Sequence, residues 1–453
     1  MPTTSLIVIS DLHLADGRNV LEGFRVQQQA ALEGLLQAAL PGGSLGNHSA
    51  PGLIINGDCF DFLVTLPYPV DGYSTPQIAL EKLEKIAAAH LPFFRALQDF
   101  LTAGGSVTFL PGNHDIELCF AEIRARLTQL CDPDGSRTPR LSFCLDQSYR
   151  PLSDVSIEHG NQYDFWNYAS GIWDSQGKAL TAQPERIFLP LGTQYMQQAA
   201  LPLSLRYPYF DHFDPPLGTT RQIALLSLFD PDLVSACARE TVKMMSYAYQ
   251  AFQNVAPGDE QVPALLFSRL IPTFAAFQQD MYDQVPAWDL IEKQLYTPEE
   301  REQSQAATFN EFLTLNASLA GSTYEALRVI FALPAATLDD GTTRGMHRLL
   351  RQSPDLRIAI AGHTHSLRYD HPGSGAQTYI NTATWMLLQA PPVPEEITSE
   401  MIAWLRQPDL EHLPTQDKTG FVFTLVSAET DQPATARLCL WEGGQEGSYR
   451  FLY

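Results

Sequence analysis

The sequence predicts an α/β protein carrying a large, mostly helical insertion, and three observations predict it. Short apolar runs rich in β-branched residues recur early and late in the chain, each ending abruptly in Asp, His or Asn. Amphipathic helical patterns separate the early runs, as expected where a helix carries the chain from one parallel strand to the next. From about Phe165 to Leu350 that rhythm stops, and long helical patterns with Pro-rich connections replace it. The expected organisation is therefore a first core segment over 1–164, a helical insertion over 165–350 and a second core segment over 351–453.

At 453 residues and 45% hydrophobic content, the chain can bury a sizeable core. A formal charge of −22 disfavours nucleic acid and anionic membrane surfaces as partners. A small phosphorylated substrate is compatible with that charge, because bound divalent ions would set the local sign at a site. The six cysteines, Cys59, Cys119, Cys131, Cys144, Cys237 and Cys439, show no CxxC pair, which points to reduced thiols in a cytoplasmic protein. The first strand starts near Ser5, leaving no room for a signal peptide. No apolar run reaches the roughly 18 residues of a membrane span.

Taken in order, Ser5 to Ser10 is a compact apolar strand ending in Asp11-Leu12-His13, whose alternation places Asp11 and His13 on one side. A carboxylate and an imidazole projecting together suit a metal ion, although such a pair alone is more often a cap and a surface His. Asp16 to Asn19 is a polar turn in which Arg18 is a candidate phosphate clamp. Residues 26–40 pattern as an amphipathic helix, and the intervening Gly46-Asn47-His48 follows no strand and reads as loop. The strand Leu53 to Asn56 then runs into Gly57-Asp58-Cys59-Phe60-Asp61, a carboxylate delivered where open α/β sheets build their sites. With two oxygens, Asp58 can bind two cations at once, about 3.5 to 4 Å apart.

The helical pattern over 76–101 is expected to break or kink at Pro92 and to close at Gly104-Gly105. Ser106 to Leu110 is the next strand, and Pro111-Gly112-Asn113-His114-Asp115 follows at once. Asn113 offers an amide oxygen to a metal, while His114 can protonate a leaving oxygen or steady a transferring phosphoryl group. Asp115 is expected to orient His114 through its ring N–H, or to cap a helix over 115–130. Strands are expected at 141–145 and 155–158, the second delivering His159-Gly160-Asn161-Gln162-Tyr163-Asp164. The core resumes at 357–361, followed by Gly362-His363-Thr364-His365, whose two histidines can face one cluster. A strand at 377–380, a turn at 381–385 and three antiparallel strands near 421–427, 436–441 and 449–452 complete the pattern.

One such block is modest evidence, but each specified position cuts chance agreement roughly twentyfold. In the order DxH, GDxxD, GNHD, HG and GHTH, the blocks resemble those of the calcineurin-like metallophosphoesterase superfamily, over 5–164 and 351–453. The resemblance implies a two-sheet β-sandwich flanked by helices, with ligands on loops at the strand ends. It implies that Asp11, His13, Asp58 and His365 hold one divalent metal ion and Asp58, Asn113, His159 and His363 a second. Manganese is the first expectation, iron or zinc the others. His114 matches the family's catalytic histidine, with Asp61 and Asp115 behind the ligands. The implied activity is hydrolysis of a phosphodiester or pyrophosphate bond by metal-activated water. The loop His159-Gly160-Asn161-Gln162 looks closer to the bacterial UDP-diacylglucosamine pyrophosphatases than to protein phosphatases, yet those enzymes typically place Arg where this chain has His114. Ala383 stands where the family often has Gly, so the backbone there is expected to differ slightly.

Entering directly after the His159 loop, the insertion is a candidate lid, with helices expected at 220–254, 262–283, 298–320 and 322–333. Tyr207 to Pro216 is either a pocket border or a packed connection between helices. On the first reading His212, together with Asn161, contacts substrate. The apolar helical faces suit a homodimer or an acyl chain equally. Two rival functions stand beside the hydrolase. A nuclease is disfavoured by charge and by the lack of a basic, aromatic-interleaved stripe. A catalytically silent metal-bound scaffold is disfavoured because every ligand type is in place.

Overall fold

The computed structural model describes residues 3–453 except 19, 47–50, 70–71, 170, 175, 181–183, 215–216, 246–292, 334–339, 373–375, 409–414, 430–431 and 444–446. The chain divides into two compact units, one of Met1–Thr193, Asp340–Leu387 and Thr419–Tyr453, the other of Gln194–Asp339 and Leu388–Lys418.

The first unit is mixed α/β. Its strands are β1 (Thr3–Ile9), β2 (Gly52–Asn56), β3 (Tyr73–Ser74), β4 (Ser106–Leu110), β5 (Leu141–Phe143), β6 (Tyr149–Leu152), β7 (Val155–Ile157), β8 (Ile187–Phe188), β9 (Ile358–Ala361), β10 (Leu367–Asp370), β11 (Thr378–Thr382), β12 (Phe421–Glu429), β13 (Thr435–Gly443) and β14 (Ser448–Phe451). A seven-stranded sheet runs β14-β13-β12-β1-β2-β4-β5, a five-stranded sheet β10-β11-β9-β7-β6, and β3 pairs with β8. Within the large sheet β1, β2, β4 and β5 are parallel, and the tail strands β12 to β14 add on antiparallel, as expected. In the smaller sheet β9 lies parallel to both β7 and β11.

The early strands read as continuous apolar runs because both of their faces are buried. Ile7, Ile9, Leu53, Ile55, Val107 and Phe109 face one core, filled from the helical side. Val8, Ile54 and Leu110 point the other way, into a second core shared with Val155, Ile157, Ile358, Ile360 and Ile380 of the smaller sheet. The two sheets thus bury one apolar layer in common.

Helices α1 (Val26–Ala39), α2 (Pro76–Ala89), α3 (Leu91–Thr102) and α4 (Ala121–Cys131) supply the helical side. The expected kink at Pro92 is a full break at His90, and Pro92 lies in the first turn of α3, where its missing N–H costs nothing. The helix expected over 115–130 is a short 3₁₀ turn, Ile116–Cys119, followed by α4. Phe60 is the centre of an aromatic cluster, stacked at 6.2 Å on Phe94 and 6.0 Å on Phe109 with Phe93 edge-on. It is fully buried directly after Asp58-Cys59, so Phe60→Ala is expected to cost about 3–5 kcal/mol of unfolding free energy, measurable by urea titration.

The second unit is helical in its described part: Thr219–Phe229, Pro231–Met245, Pro298–Ser318, Thr323–Ala332 and Ser399–Arg406. Thr297 and Ser322 start two of these with capping boxes to Glu300 and Glu325. The helix expected over 220–254 is broken after Phe229; its end, 246–254, the whole helix expected over 262–283, and Asn47-His48 lie outside the described residues.

Three segments fall in units other than those expected. Residues 165–193 cluster with the first unit, where Ala169, Ile172 and Ile187 join its core and Trp173 Nε1 donates to the Leu145 carbonyl. The helix Gly341–Gln352 does the same, laying Met346 and Leu350 against Ala359, Ala361 and Tyr379. Conversely, 388–418 belongs to the second unit, since Ile397, Met401 and Leu405 complete the core around Tyr207, Tyr209 and Phe213. A helical hydrophobic pattern marks the face to be buried but not which core receives it.

Candidate metal centre

The parallel strands of both sheets end at one place. β1 delivers Asp11 and His13, β2 Asp58 and Asp61, β4 Asn113 and His114, β7 His159, and β9 His363 and His365. Pairing continues past the strand ends and sets the loops in register. Asp11 N–H donates to the Gly57 carbonyl (3.2 Å), His13 N–H to the Asp58 carbonyl (2.9 Å) and Leu14 N–H to the Cys59 carbonyl (3.0 Å), while Asp61 N–H returns to the Leu14 carbonyl (2.8 Å). The smaller sheet is tied in by His363 N–H, 3.1 Å from both Asp11 carboxylate oxygens, and by Gly362 N–H on the His159 carbonyl (3.0 Å).

The donors converge. Asp11, His13 and His365 form one group, His13, Asp58 and His114 a second, and Asp58, His159 and His363 a third, with the ligand atoms in each within 4.8 Å of one another. His13 Nε2 faces His365 Nε2 at 3.1 Å, and His365 Nε2 is 3.4 Å from Asp11 Oδ1. Asp58 lies between the sets, its Oδ2 3.9 Å from His13 Nε2 and 3.2 Å from His159 Nε2. Buried polar atoms normally find partners. Yet Asn113 Oδ1 and His363 Nδ1 are buried without a hydrogen-bond partner. Oxygen and nitrogen donors left open in this way fit a divalent metal ion.

Backbone strain gathers at the same residues. Among the described residues, six other than glycine have left-handed φ: Asp11, His13, Asp58, His363, His365 and Ala383. The first five are candidate ligands. Such conformations cost on the order of 1–3 kcal/mol each and persist where surrounding structure holds them, typically at functional sites. Ala383 takes φ 57 although it is not glycine, and its N–H is held by Asn381 Oδ1 (3.0 Å). Gly57, at φ 78, and Gly112 let the loops close, since a Cβ on the first would meet the His159 ring and on the second the Asp58 carboxylate.

Hydrogen bonds select the donating atom of each ring. Asp61 Oδ2 holds His13 Nδ1 at 3.1 Å, leaving Nε2 for the cluster, and Asp61 Oδ1 holds His114 Nδ1 at 3.0 Å. His159 Nδ1–H donates to the Asn56 carbonyl (2.9 Å). Asp115 does not orient His114, and its side chain does not cap the following turn. Its carboxylate instead accepts the backbone N–H groups of Asp58 (3.2 Å), Cys59 (2.8 Å), Phe60 (3.3 Å) and Gly112 (2.6 Å), binding the two ligand loops together from behind. Asp115 is therefore not placed as a catalytic group. The physical reason is reach: it is fully buried under the 58–60 loop, whereas Asp61 comes up on the side of the two rings.

Charge is balanced inside the cluster. Burial would raise Asp58, but the His159 and His114 imidazoles outweigh it and hold its carboxyl well below the usual range. Asp61 is likewise lowered against burial by His114 and His13. Burial would lower His114, but Asp61 and Asp58 push it up to about 10; Asp58 and Asp11 similarly push His159 up to about 9. Asp115, among buried amides and beside Asp58, is raised to about 7 by burial first and by Asp58 second.

The substrate-contact expectations divide. Arg18 is exposed, its N–H turned to Asp16 Oδ1 (3.1 Å). Asn161 is buried just beyond His159, with Nδ2 on the Asn167 carbonyl (2.9 Å) and Oδ1 without a partner. His212 is fully buried in the second unit, its carbonyl accepting from Gln389 N–H (2.7 Å), so it presents no surface to a substrate. Around it Tyr207, Tyr209 and Phe213 are core residues of that unit, with Tyr209 Oη donating to the Leu405 carbonyl (3.0 Å); Pro215-Pro216 lie outside the described residues.

Two site residues lacked a sequence assignment. Asp164 Oδ2 holds His363 Nε2 at 3.1 Å, and Asn167 Oδ1 accepts from Asn113 Nδ2 at 3.2 Å. Asp164 was visible only as the end of the His159 run, and Asn167 carried no signal. No family model matches the chain, and a search of curated proteins finds no match. No helix among the described residues is long and apolar enough to cross a membrane.

Proposed function

We propose that the protein is a dinuclear metal-dependent phosphoesterase of the calcineurin-like kind, hydrolysing a phosphodiester or pyrophosphate bond in a small substrate. The observation that carries this reading is the position of Asp58, one buried carboxylate reaching toward His13 on one side and His159 on the other. The shared apolar layer of the two sheets, with every ligand loop at a strand end, supports the sandwich of that family. Asp11, His13, Asp58 and His365 would hold one divalent ion, and Asp58, Asn113, His159 and His363 the other, with manganese foremost and iron or zinc compatible with the same donors. Two such ions supply Lewis acidity at the phosphoryl oxygens and an acidified water as nucleophile.

His114 is the catalytic side chain. Its imidazole is 21% exposed, more open than those of His13, His159 and His363, with Nδ1 committed to Asp61, so Nε2 is the atom available to a leaving oxygen. Arg18, which is exposed, is the candidate to contact the rest of the phosphorylated substrate; Asn161 is buried, as His212 is. Six unpaired thiols support a reducing, cytoplasmic setting.

The test is hydrolysis of an aryl phosphodiester and of an aryl-substituted pyrophosphate by metal-stripped protein reconstituted with Mn²⁺. Turnover appearing with metal is the expected result. Two bound ions with no hydrolysis of either ester would overturn the reading in favour of a silent scaffold.

A further inference from the structure

The turn after His159 builds a short relay between two of the ligands. Gly160, at φ 117, reverses the chain, and Thr342 Oγ1 fixes it by donating to the Gly160 carbonyl (3.0 Å). Hydrogen bonds hold the turn: Asp164 N–H meets the Asn161 carbonyl (3.1 Å), Trp166 N–H meets Asp164 Oδ1 (2.9 Å), and Gly192 N–H meets the Trp166 carbonyl (2.7 Å). From this turn Asp164 Oδ2 receives both His363 Nε2 (3.1 Å) and Asn167 Nδ2 (2.7 Å), and Asn167 Oδ1 receives Asn113 Nδ2 (3.2 Å). Four side chains, Asn113, Asn167, Asp164 and His363, are linked in a row. The atoms left over at its two ends are the buried and partnerless Asn113 Oδ1 and His363 Nδ1.

Resting on the dinuclear reading above, we propose that Asp164 and Asn167 are positioning residues for one metal position only, that of Asn113, His159 and His363. A histidine whose Nε2–H is given to a carboxylate must present its Nδ1 lone pair, and with more basicity than a free ring. An amide whose NH₂ is given away must present its oxygen. Asp164 and Asn167 thereby choose the donating atoms. The other position is served by a different carboxylate, Asp61 on His13, with no member in common with the relay. The two positions are thus separable, and the 161–167 turn governs one of them.

The experiment titrates Mn²⁺ into the metal-stripped full-length chain, followed by calorimetry and by electron paramagnetic resonance, for wild type, Asp164→Ala, Asp164→Asn and Asn167→Ala. Wild type is expected to take two ions with an exchange-coupled spectrum. In Asp164→Ala and Asn167→Ala one site is expected to weaken about 10- to 100-fold while the other keeps its affinity, and at one equivalent the spectrum is mononuclear. Asp164→Asn, which keeps the shape and an acceptor oxygen, is expected to fall between them. Two wild-type affinities in the variants would overturn the inference alone, as would equal weakening of both sites with a lowered melting point, the mark of a merely structural role. A wild type that binds fewer than two ions would overturn the dinuclear reading and the inference together.

Discussion

Asp58→Asn is expected to abolish the coupled metal pair and to reduce phosphodiester hydrolysis by about a thousandfold or more, the several kcal/mol that paired metal ions contribute at tenfold per 1.36 kcal/mol. Asparagine is the informative replacement. Its oxygen can still accept the His114 N–H that Asp58 Oδ1 holds at 2.8 Å, and it tolerates the φ of 49 required there. What it lacks is the charge and the second oxygen: with its one oxygen on the His114 N–H, an amide NH₂ stands where Oδ2 now lies between His13 and His159. Metal content by elemental analysis and melting temperature are read beside the rate. A variant that keeps both ions and its turnover would remove Asp58 from the centre of the mechanism.

The second large effect is expected at His114. His114→Ala should lower kcat by about 10²- to 10⁴-fold, the usual contribution of a general acid, with metal stoichiometry unchanged. The side chain stands within reach of His13 and Asp58 in the second group of donors, but Asp61 already occupies its Nδ1, and its ring packs edge-on to His13 at 4.6 Å. The deficit is expected to shrink for a p-nitrophenyl ester, whose leaving group needs no proton. An equal deficit for good and poor leaving groups would assign His114 to charge stabilisation instead, and loss of one metal equivalent would make it a ligand.

Asp61 links the two predictions. One carboxylate fixes His13 as a candidate ligand through Oδ2 and His114 as the candidate acid through Oδ1. GDxxD places the second Asp three residues on, but its spacing alone is equally that of a turn. The assignment of His114's partner to Asp115 failed for the same reason: adjacency in sequence is not adjacency of side chains. After β4 the chain turns so that Asp115 goes under the Asp58 loop and His114 stays above it.

The amino-acid sequence by itself determined where the strands end and which side chains stand there. Both are local matters, since a β-branched run stopped by Gly, Asp or His records its own boundary. Asp11, His13, Asp58, Asn113, His159, His363 and His365 were legible for that reason. Only the tertiary structure decided which atoms of these residues converge, which carboxylate orients which ring, and that Asp164 and Asn167 serve His363 and Asn113. Those pairings join residues 54 and 199 positions apart. It also decided that the helix Gly341–Gln352 and the segment 388–418 exchange the units first expected for them. The physical reason is that apolar periodicity states that a face must leave water, while the surface that receives it is fixed by packing across the whole chain.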